Sequence, residues 1–358
     1  MRIVFAIPGM GYGGAERVVS VLANELINSN KVKIILTSGD GRKAYFLNKN
    51  IEVDTISSNY TVHKRWCTFR KLCKEFKADV VIAFMDTVGI MASCYLAFSK
   101  IPVIISERND PSEKSRELSR GFKILRKISY YLAAGYVFQS NGAKEYYPIR
   151  CQNKSTVILN PIDVSSLPDR TDDRIEKKIV TVGRLHPQKN HKLLIKCFAK
   201  SNFCKYGYTL HIYGEGELRK ELESLIYKLN VQDKVFLEGN HADVLNEIKN
   251  ASLFVFTSNY EGLPNALMEA MALGIPVIST DCSPGGARML IKDDESNGII
   301  IPCNEEKKLI ESLDYWFSHP RIMENAGLQA RQIRDKINVQ SVTLLWIEFI
   351  KKVISGVK

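Results

Sequence analysis

Eight cysteines are spread along the chain, at 67, 73, 94, 151, 197, 204, 282 and 303, without a Cys-x-x-Cys pair or a zinc-like spacing. A disulfide framework and a structural zinc are both unexpected, and the thiols read as reduced, as in a cytoplasmic protein. The six histidines form no ligand cluster, so no metal is expected. A secretory leader is not expected either, because only a short apolar strand separates Arg2 from Pro8. Long apolar runs are missing. The nearest, Val80–Phe98, is interrupted by Asp86 and reads as a strand (Asp79–Phe84) followed by a helix (Thr87–Phe98). There is no low-complexity segment. Helix-turn-helix, RNP-like and zinc signatures are also absent, which argues against nucleic acid.

What is present starts with size. At 358 residues the chain exceeds one compact core and should divide in two. Its net charge of +11 is uneven, with +10 in residues 1–170 and +1 in the remainder. A basic half beside a neutral half points to an anionic partner for the first half.

The chain is organised around residues 257–281. Apolar strands (Leu253–Phe256 and Pro276–Ser279) flank a helix with Pro264 at its start and Gly274 at its end. Glu261 precedes the helix and Glu269 lies inside it. The first-turn amides near Gly262, Leu263, Pro264 and Asn265 form an anion site at the positive end of the helix dipole. Phosphate on the amides and hydroxyls on the carboxylates would suit a phosphorylated sugar. An ordinary crossover helix with solvated glutamates gives the same pattern.

Arg2–Ile7 reads as a buried strand, and Gly9, Gly11 and Gly14 satisfy G-x-G-x-x-G before a helix, with Asp40 after the next strand. Alone, that fingerprint suggests a dinucleotide site and a dehydrogenase. A sharp strand-to-helix turn produces the same glycines. Strands and helices then alternate to about residue 148, as in a parallel sheet covered on both faces. A polar linker (165–178) leads to a second such unit, with strands near Ile179–Val182, Thr209–Tyr213, Lys234–Glu238, Leu253–Phe256 and Pro276–Ser279. The expected domains are 1–164 with a tail helix at about 341–358, and 179–340. Gly183 follows the first strand of the second unit and permits a close turn, and Arg184 and Lys189 leave that strand's carboxyl end. Two cations there could clamp a diphosphate without a metal. Two solvated loop charges are the plainer reading.

Glu261-x7-Glu269, Gly183-Arg-Leu-x4-Lys189 and Gly13-Gly14-Ala-Glu-Arg17 together resemble glycosyltransferase family 4. Tyr213-Gly-Glu-Gly216, Phe236-Leu-Glu-Gly239 and Asn160-Pro-Ile-Asp163 extend the likeness over nearly the whole chain. It looks most like bacterial members that build lipid-linked or capsular oligosaccharides, including N-acetylgalactosamine transferases of N-glycan assembly. The resemblance implies an α/β GT-B fold: two Rossmann-like domains facing across a cleft, with the last helix crossing back. It implies retaining transfer from a nucleotide-diphosphate sugar, UDP by expectation, to a glycan on a polyprenyl-diphosphate carrier. No metal or other cofactor is expected.

By the same resemblance Arg184 and Lys189 hold the diphosphate and Glu269 the ribose. Glu261 and the Gly262–Asn265 amides address the donor sugar and phosphate, and Gly239 and Asn240 lie by the base. Gly13 and Gly14 let the acceptor approach. Asp86 and Glu107 follow strands, and either could orient an acceptor hydroxyl or serve as a structural cap. Two positions depart from the family pattern. Arg108 stands where a histidine is usual, and Gly285-Gly-Ala-Arg288 lacks the usual acid.

On one helix over 114–133, Arg120, Lys123 and Lys127 fall within about 40° of Arg116 at about 100° per residue. Leu118, Phe122, Leu125, Ile128 and Leu132 centre on the opposite side. The cationic stripe could meet a polyprenyl diphosphate or an anionic leaflet. A cytoplasmic location extending to the inner face of the membrane is therefore expected. The rival readings are a GT-B nucleotide-sugar epimerase and a non-enzymatic nucleotide-binding module. The Arg184/Lys189 and Glu261/Glu269 set favours transfer.

Overall fold

A computed structural model describes residues 1–11, 13–38, 41, 44–171, 175–292 and 294–357, with the backbone alone for 114, 117 and 357. Asp40, the acidic member of the dinucleotide fingerprint, lies outside the described residues, as does part of the 165–178 linker. Contacts divide the chain into two units, Met1–Asp163 with Ile337–Lys358, and Val164–Lys336.

The first unit contains strands β1 (Arg2–Ile7), β2 (Lys31–Leu36), β3 (Glu52–Thr55), β4 (Val80–Phe84), β5 (Val103–Ser106), β6 (Gly135–Phe138) and β7 (Ser155–Val157). They pair in parallel in the order β3-β2-β1-β4-β5-β6-β7. Central strands such as Ile3–Ile7 and Val80–Phe84 are buried along their length, which is why they read as unbroken apolar runs rather than alternating ones. The helices are α1 (Gly14–Leu26), α2 (Val62–Glu75), α3 (Asp86–Leu96), α4 (Pro111–Glu117), α5 (Arg120–Leu132), α6 (Asn141–Glu145) and α7 (Ile149–Gln152). Strand order reverses between β1 and β4, and ligands of open α/β sheets gather at such a switch point.

The second unit repeats the scheme. Its strands are β8 (Glu176–Val182), β9 (Thr209–Tyr213), β10 (Val235–Gly239), β11 (Ala251–Phe256), β12 (Val277–Thr280) and β13 (Ile299–Ile301), in the order β10-β9-β8-β11-β12-β13. Its helices are α8 (His191–Lys200), α9 (Asn202–Lys205), α10 (Arg219–Lys228), α11 (Val244–Ile248), α12 (Asn265–Leu273), α13 (Gly286–Leu290), α14 (Glu306–Ser318) and α15 (Pro320–Ala330). This is the α/β class expected, two units each built on a parallel sheet. The expected strands omit β7 and β13, and β8 begins at Glu176, inside the segment read as linker.

One expected element is wrong. Residues 114–133 are not a single helix, because Leu118 is extended and Ser119 starts a second one by accepting a hydrogen bond from the Phe122 amide. Arg116 therefore belongs to α4, while Arg120, Lys123 and Lys127 belong to α5. No helix of the described residues is long and apolar enough to cross a membrane.

After α16 (Arg334–Ile337) the chain ends in α17 (Val339–Val357), which packs on α1. Val342, Trp346, Phe349, Ile350 and Val353 repeat at helical spacing and join the core of β1, β4 and α1. Trp346 is 1 % exposed and stacks on Phe84 with ring centroids 6.2 Å apart. Gly135 is required beneath this helix, since a Cβ there would lie 2.9 Å from Val353 and 3.0 Å from Phe349. Trp346→Ala should destabilise the protein by about 3–5 kcal/mol, as expected for a buried aromatic. A chemical-denaturation midpoint equal to that of the parent would show that the tail helix contributes no core.

Candidate active site

In the second unit the switch point lies between β8 and β11. Val182 leads into Gly183, whose amide donates to the Tyr213 carbonyl at 2.9 Å. The chain then makes a short turn, Pro187–Lys189, and Asn190 takes the left-handed conformation that lets α8 begin. Lys189 Nζ forms an ion pair with Glu261 Oε1 from the loop after β11. Both side chains keep limited contact with water, at 16 % and 14 % exposure. Gln188 Nε2 donates to the same carboxylate at 3.2 Å and to the Tyr260 carbonyl at 2.9 Å. Thr257 Oγ1 donates to the Lys189 carbonyl at 3.0 Å, and the Asn259 amide to the Gln188 carbonyl at 2.8 Å. Two loops distant in sequence are thus joined around one carboxylate.

Arg184 is exposed, and its guanidinium has no partner among the described residues. Gly262, Leu263 and Pro264 are buried, with Pro264 as the residue capping α12 rather than its first helical residue. Glu269 is buried within α12. Gly239 ends β10 and Asn240 follows it, at the far edge of the sheet from β11. Two glycines are sterically obligatory here. A Cβ on Gly214 would sit 2.2 Å from the Gly183 carbonyl oxygen, and one on Gly286 would sit 2.2 Å from that of Gly262. The departing Arg288 pairs with Asp281, its Nε 3.0 Å from Oδ2.

In the first unit the loops after β1, β4 and β5 leave neighbouring strands. Gly13 precedes α1 in extended conformation, and a Cβ there would collide with the Glu16 carboxylate. Gly14 opens α1. Asp86 opens α3 behind Met85, a non-glycine residue held at φ 75°, ψ 145°. Glu107 follows β5, and its Oε1 accepts from the amides of Arg108 at 3.0 Å and Asn109 at 3.4 Å. Its Oε2 accepts from Tyr147 Oη at 2.7 Å. Arg108 Nη1 donates to Asn160 Oδ1 at 2.6 Å, and its guanidinium stacks 4.3 Å from the Phe84 ring. Burial pushes the Arg108 guanidinium down to about 9, with Glu107 opposing.

Arg126 was absent from the sequence reading. It lies on the inner side of α5, 3 % exposed, with Nε 3.5 Å from Asp86 Oδ2 and Nη2 donating to Tyr147 Oη at 3.0 Å. Burial first, and then Glu107, push the Asp86 carboxyl up to about 7, against the opposing charge of Arg126. The signal available was a cation standing between Leu125 and Ser129 on the side that packs inward. The expected apolar side is corrected accordingly. Phe122 and Leu125 pack on the core, but Ile128 and Leu132 are exposed, as are Ile124 and Tyr131. The cationic stripe is shortened as well, since Arg116 sits on α4 and pairs with Glu113.

Residues 12–166 match the family model described as Glycosyltransferase Family 4, and residues 169–333 that described as Glycosyl transferases group 1. The chain is 28 % identical over 365 residues to the GalNAc-alpha-(1->4)-GalNAc-alpha-(1->3)-diNAcBac-PP-undecaprenol alpha-1,4-N-acetyl-D-galactosaminyltransferase of Campylobacter jejuni, covering 99 % of both chains. It is 26 % identical over 340 residues to the amylovoran biosynthesis glycosyltransferase AmsD of Erwinia amylovora, covering 92 % of this chain and 94 % of that one. HepE of Anabaena, solved in complex with UDP, has the same fold, with a TM-score of 0.83 at 17 % identity over 98 % of this chain and 100 % of that one.

Gly286→Ala should force the 261–263 loop off its seat, at a cost of about 1–3 kcal/mol as for other overpacked sites. Thermal unfolding measures it, and an unchanged midpoint would mean that the loop yields freely.

Proposed function

The chain belongs to glycosyltransferase family 4, and on that premise we propose a specific reaction for it. It moves a hexose or N-acetylhexosamine, with retention, from a UDP-sugar to a glycan on a polyprenyl-diphosphate carrier, in surface polysaccharide or glycan assembly. The observation that carries this reading is the Lys189–Glu261 pair, which joins adjacent strand ends ahead of α12, with exposed Arg184 on the same loop as Lys189. Arg184 and Lys189 grip the diphosphate and offset the charge that develops on the leaving group, in place of a metal ion. Amides near Gly262–Asn265 receive phosphate oxygens at the helix start. Glu261 addresses the donor sugar, Glu269 the ribose, and Gly239 and Asn240 the base, while Gly183 gives the close turn ahead of Arg184 and Lys189. In the first unit Gly13 and Gly14 admit the acceptor, which Asp86, Glu107 and Arg108 help to position. The Campylobacter relative named for a PP-undecaprenol glycan supports the acceptor class, and the UDP-bound neighbour supports the nucleotide.

Contact with an anionic leaflet is proposed for the outer side of α5. Arg120, Lys123 and Lys127 are exposed there beside exposed Ile124, Ile128 and Tyr131. Cations flanking apolar side chains suit the headgroup boundary.

Lys189→Ala and Arg184→Ala should each lower turnover about 10²–10³-fold, the usual loss for a preorganised charge-stabilising group. The assay is product formation from a panel of UDP-, GDP- and ADP-sugars with a polyprenyl-diphosphate-linked glycan. Near-parental rates would remove the clamp assignment, as would a strict requirement for Mg²⁺ or Mn²⁺ revealed by EDTA.

Replacing Arg120, Lys123 and Lys127 by Gln should weaken binding to anionic vesicles roughly a hundredfold at low salt, at about 1 kcal/mol per cation. The difference should shrink as salt rises. Arg116→Gln should change little, because Glu113 already offsets that charge. Equal vesicle binding by the triple variant and the parent would reduce the face to a solvated surface.

A further inference from the structure

The two carboxylates at the strand ends of the first unit are not equivalent. Glu107 is fully occupied, since two loop amides hold one oxygen and Tyr147 holds the other. Asp86 is 6 % exposed, yet its Oδ2 accepts no hydrogen bond. Opposite it, Arg126 is 3 % exposed and leaves both Nε and Nη1 without an acceptor. The two groups face each other at 3.5 Å as an ion pair without forming a hydrogen bond. Leaving a buried acceptor and buried donors unpaired is costly, and native proteins rarely do so without a reason.

The backbone that aims Asp86 is itself strained. Met85 sits at φ 75°, held by its amide donating to the Ser106 carbonyl at 3.1 Å and its carbonyl accepting from Gly89 at 3.0 Å. Gly89 lets α3 approach β5, where a Cβ would meet Ile105 at 2.6 Å. Strain of this kind persists where the surroundings over-determine it, often at functional sites.

We propose that Asp86 and Arg126 form a hydroxyl-binding pair for the acceptor sugar: the two side chains, closed to water at 3.5 Å in the free protein, part to admit a hydroxyl, Asp86 Oδ2 accepting its hydrogen and Arg126 donating to its oxygen. A sugar hydroxyl both donates and accepts, which is the complement of an unpaired carboxylate oxygen facing an unpaired guanidinium N–H. Glu107 acts as a positioning residue, through Tyr147 on Arg126 and through its charge on Asp86. The inference rests on the glycosyl-transfer reading and names the residues of its acceptor side.

The groups facing Asp86 are Glu107 from the end of β5, Arg126 and Tyr130 from α5, and Tyr147 from the segment after α6. Burial and Glu107 put its titration near neutrality, at about 7. Asp86 must be ionised to accept the hydroxyl, so transfer should fall as pH drops through that value. Arg126→Gln removes the opposing cation and should move the midpoint up, whereas Glu107→Gln removes a like charge and should move it down. Shifts of opposite sign would show that both charges act on the Asp86 carboxyl, and its response to a bound sugar separates a binding role from a structural one.

The test follows the Asp86 carboxyl carbon by NMR in the full chain labelled with ¹³C-aspartate, identified by its loss in Asp86→Asn. The probes are the methyl α-glycosides of N-acetylgalactosamine and of galactose. Bound glycoside should lower the Asp86 midpoint in the parent and leave it unmoved in Arg126→Gln, with Arg126→Lys partly restoring the response. In transfer assays Asp86→Asn and Arg126→Gln should raise the acceptor KM at least tenfold and leave the donor KM unchanged. If neither glycoside perturbs Asp86, or if the two midpoints move the same way, the proposal is overturned, whatever the turnover. If a glycoside moves Asp86 while no nucleotide sugar supports transfer to a lipid-linked glycan, the pair stands and the acceptor reading alone fails.

Discussion

The Lys189–Glu261 ion pair is the contact on which the site of the second unit depends. It joins the loop after β8 to the loop after β11, and the surrounding hydrogen bonds take their positions from it. Gln188 reaches the same carboxylate, and Thr257 and Asn259 bind the backbone of the turn that carries Lys189. A pair this little exposed repays its desolvation only when the remaining lone pairs and protons are also satisfied. Here Glu261 Oε1 also accepts from the Gln188 side-chain amide, and the face of Phe256 lies 5.1 Å from Lys189 Nζ. A Leu–Leu contact would join the loops as well, but it would leave no charge at the strand ends. Keeping two ions where the sheet order reverses is what the proposed diphosphate clamp requires.

The first unit solves a related problem differently. Three charged side chains, Asp86, Glu107 and Arg126, lie buried near the ends of β4 and β5, and only Glu107 is fully hydrogen-bonded. Tyr147 is the hub, accepting from Arg126 and donating to Glu107. A hydroxyl in that place passes the polarity of the guanidinium to one carboxylate while the other is left under-satisfied. The second unit closes its charge pair, whereas the first leaves one open.

The features legible in the sequence were those fixed by local composition. Central strands such as Val80–Phe84 are buried on both faces and so appear as apolar runs. Lys189 and Glu261 were legible because each lies in the loop that follows such a strand, and loops on either side of a switch point become neighbours. The tail helix was legible from the spacing of Val342, Trp346 and Val353. Strands β7 and β13 were not, because three residues of edge strand carry too little pattern to stand out from a loop. The break between α4 and α5 was missed because it contains no proline. Its signal is the Ser119 hydroxyl on the Phe122 amide, and serine is common enough along any helix to pass unnoticed. Arg126 was missed because the exposed apolar Ile128 and Leu132 drew the inferred inner side of the helix away from it.

That error shows what fixes the orientation of α5. Successive residues turn the helix by about 100°, so a rotation of one position would carry Arg126 away from Asp86 and bring Lys127 or Leu125 into its place. Neither Lys127 nor Leu125 could replace it. Leucine would abandon the carboxylate, and lysine lacks the planar fork that engages Tyr147 and Asp86 together. Burial of one arginine thus determines which side chains meet water: Arg120, Lys123 and Lys127 next to Ile124, Ile128 and Tyr131. These apolar side chains stay largely exposed, and a contiguous exposed patch of this kind usually has a partner. The same helix holds an open charge pair inward and an apolar, cationic side outward, and Arg126 keeps the two in register.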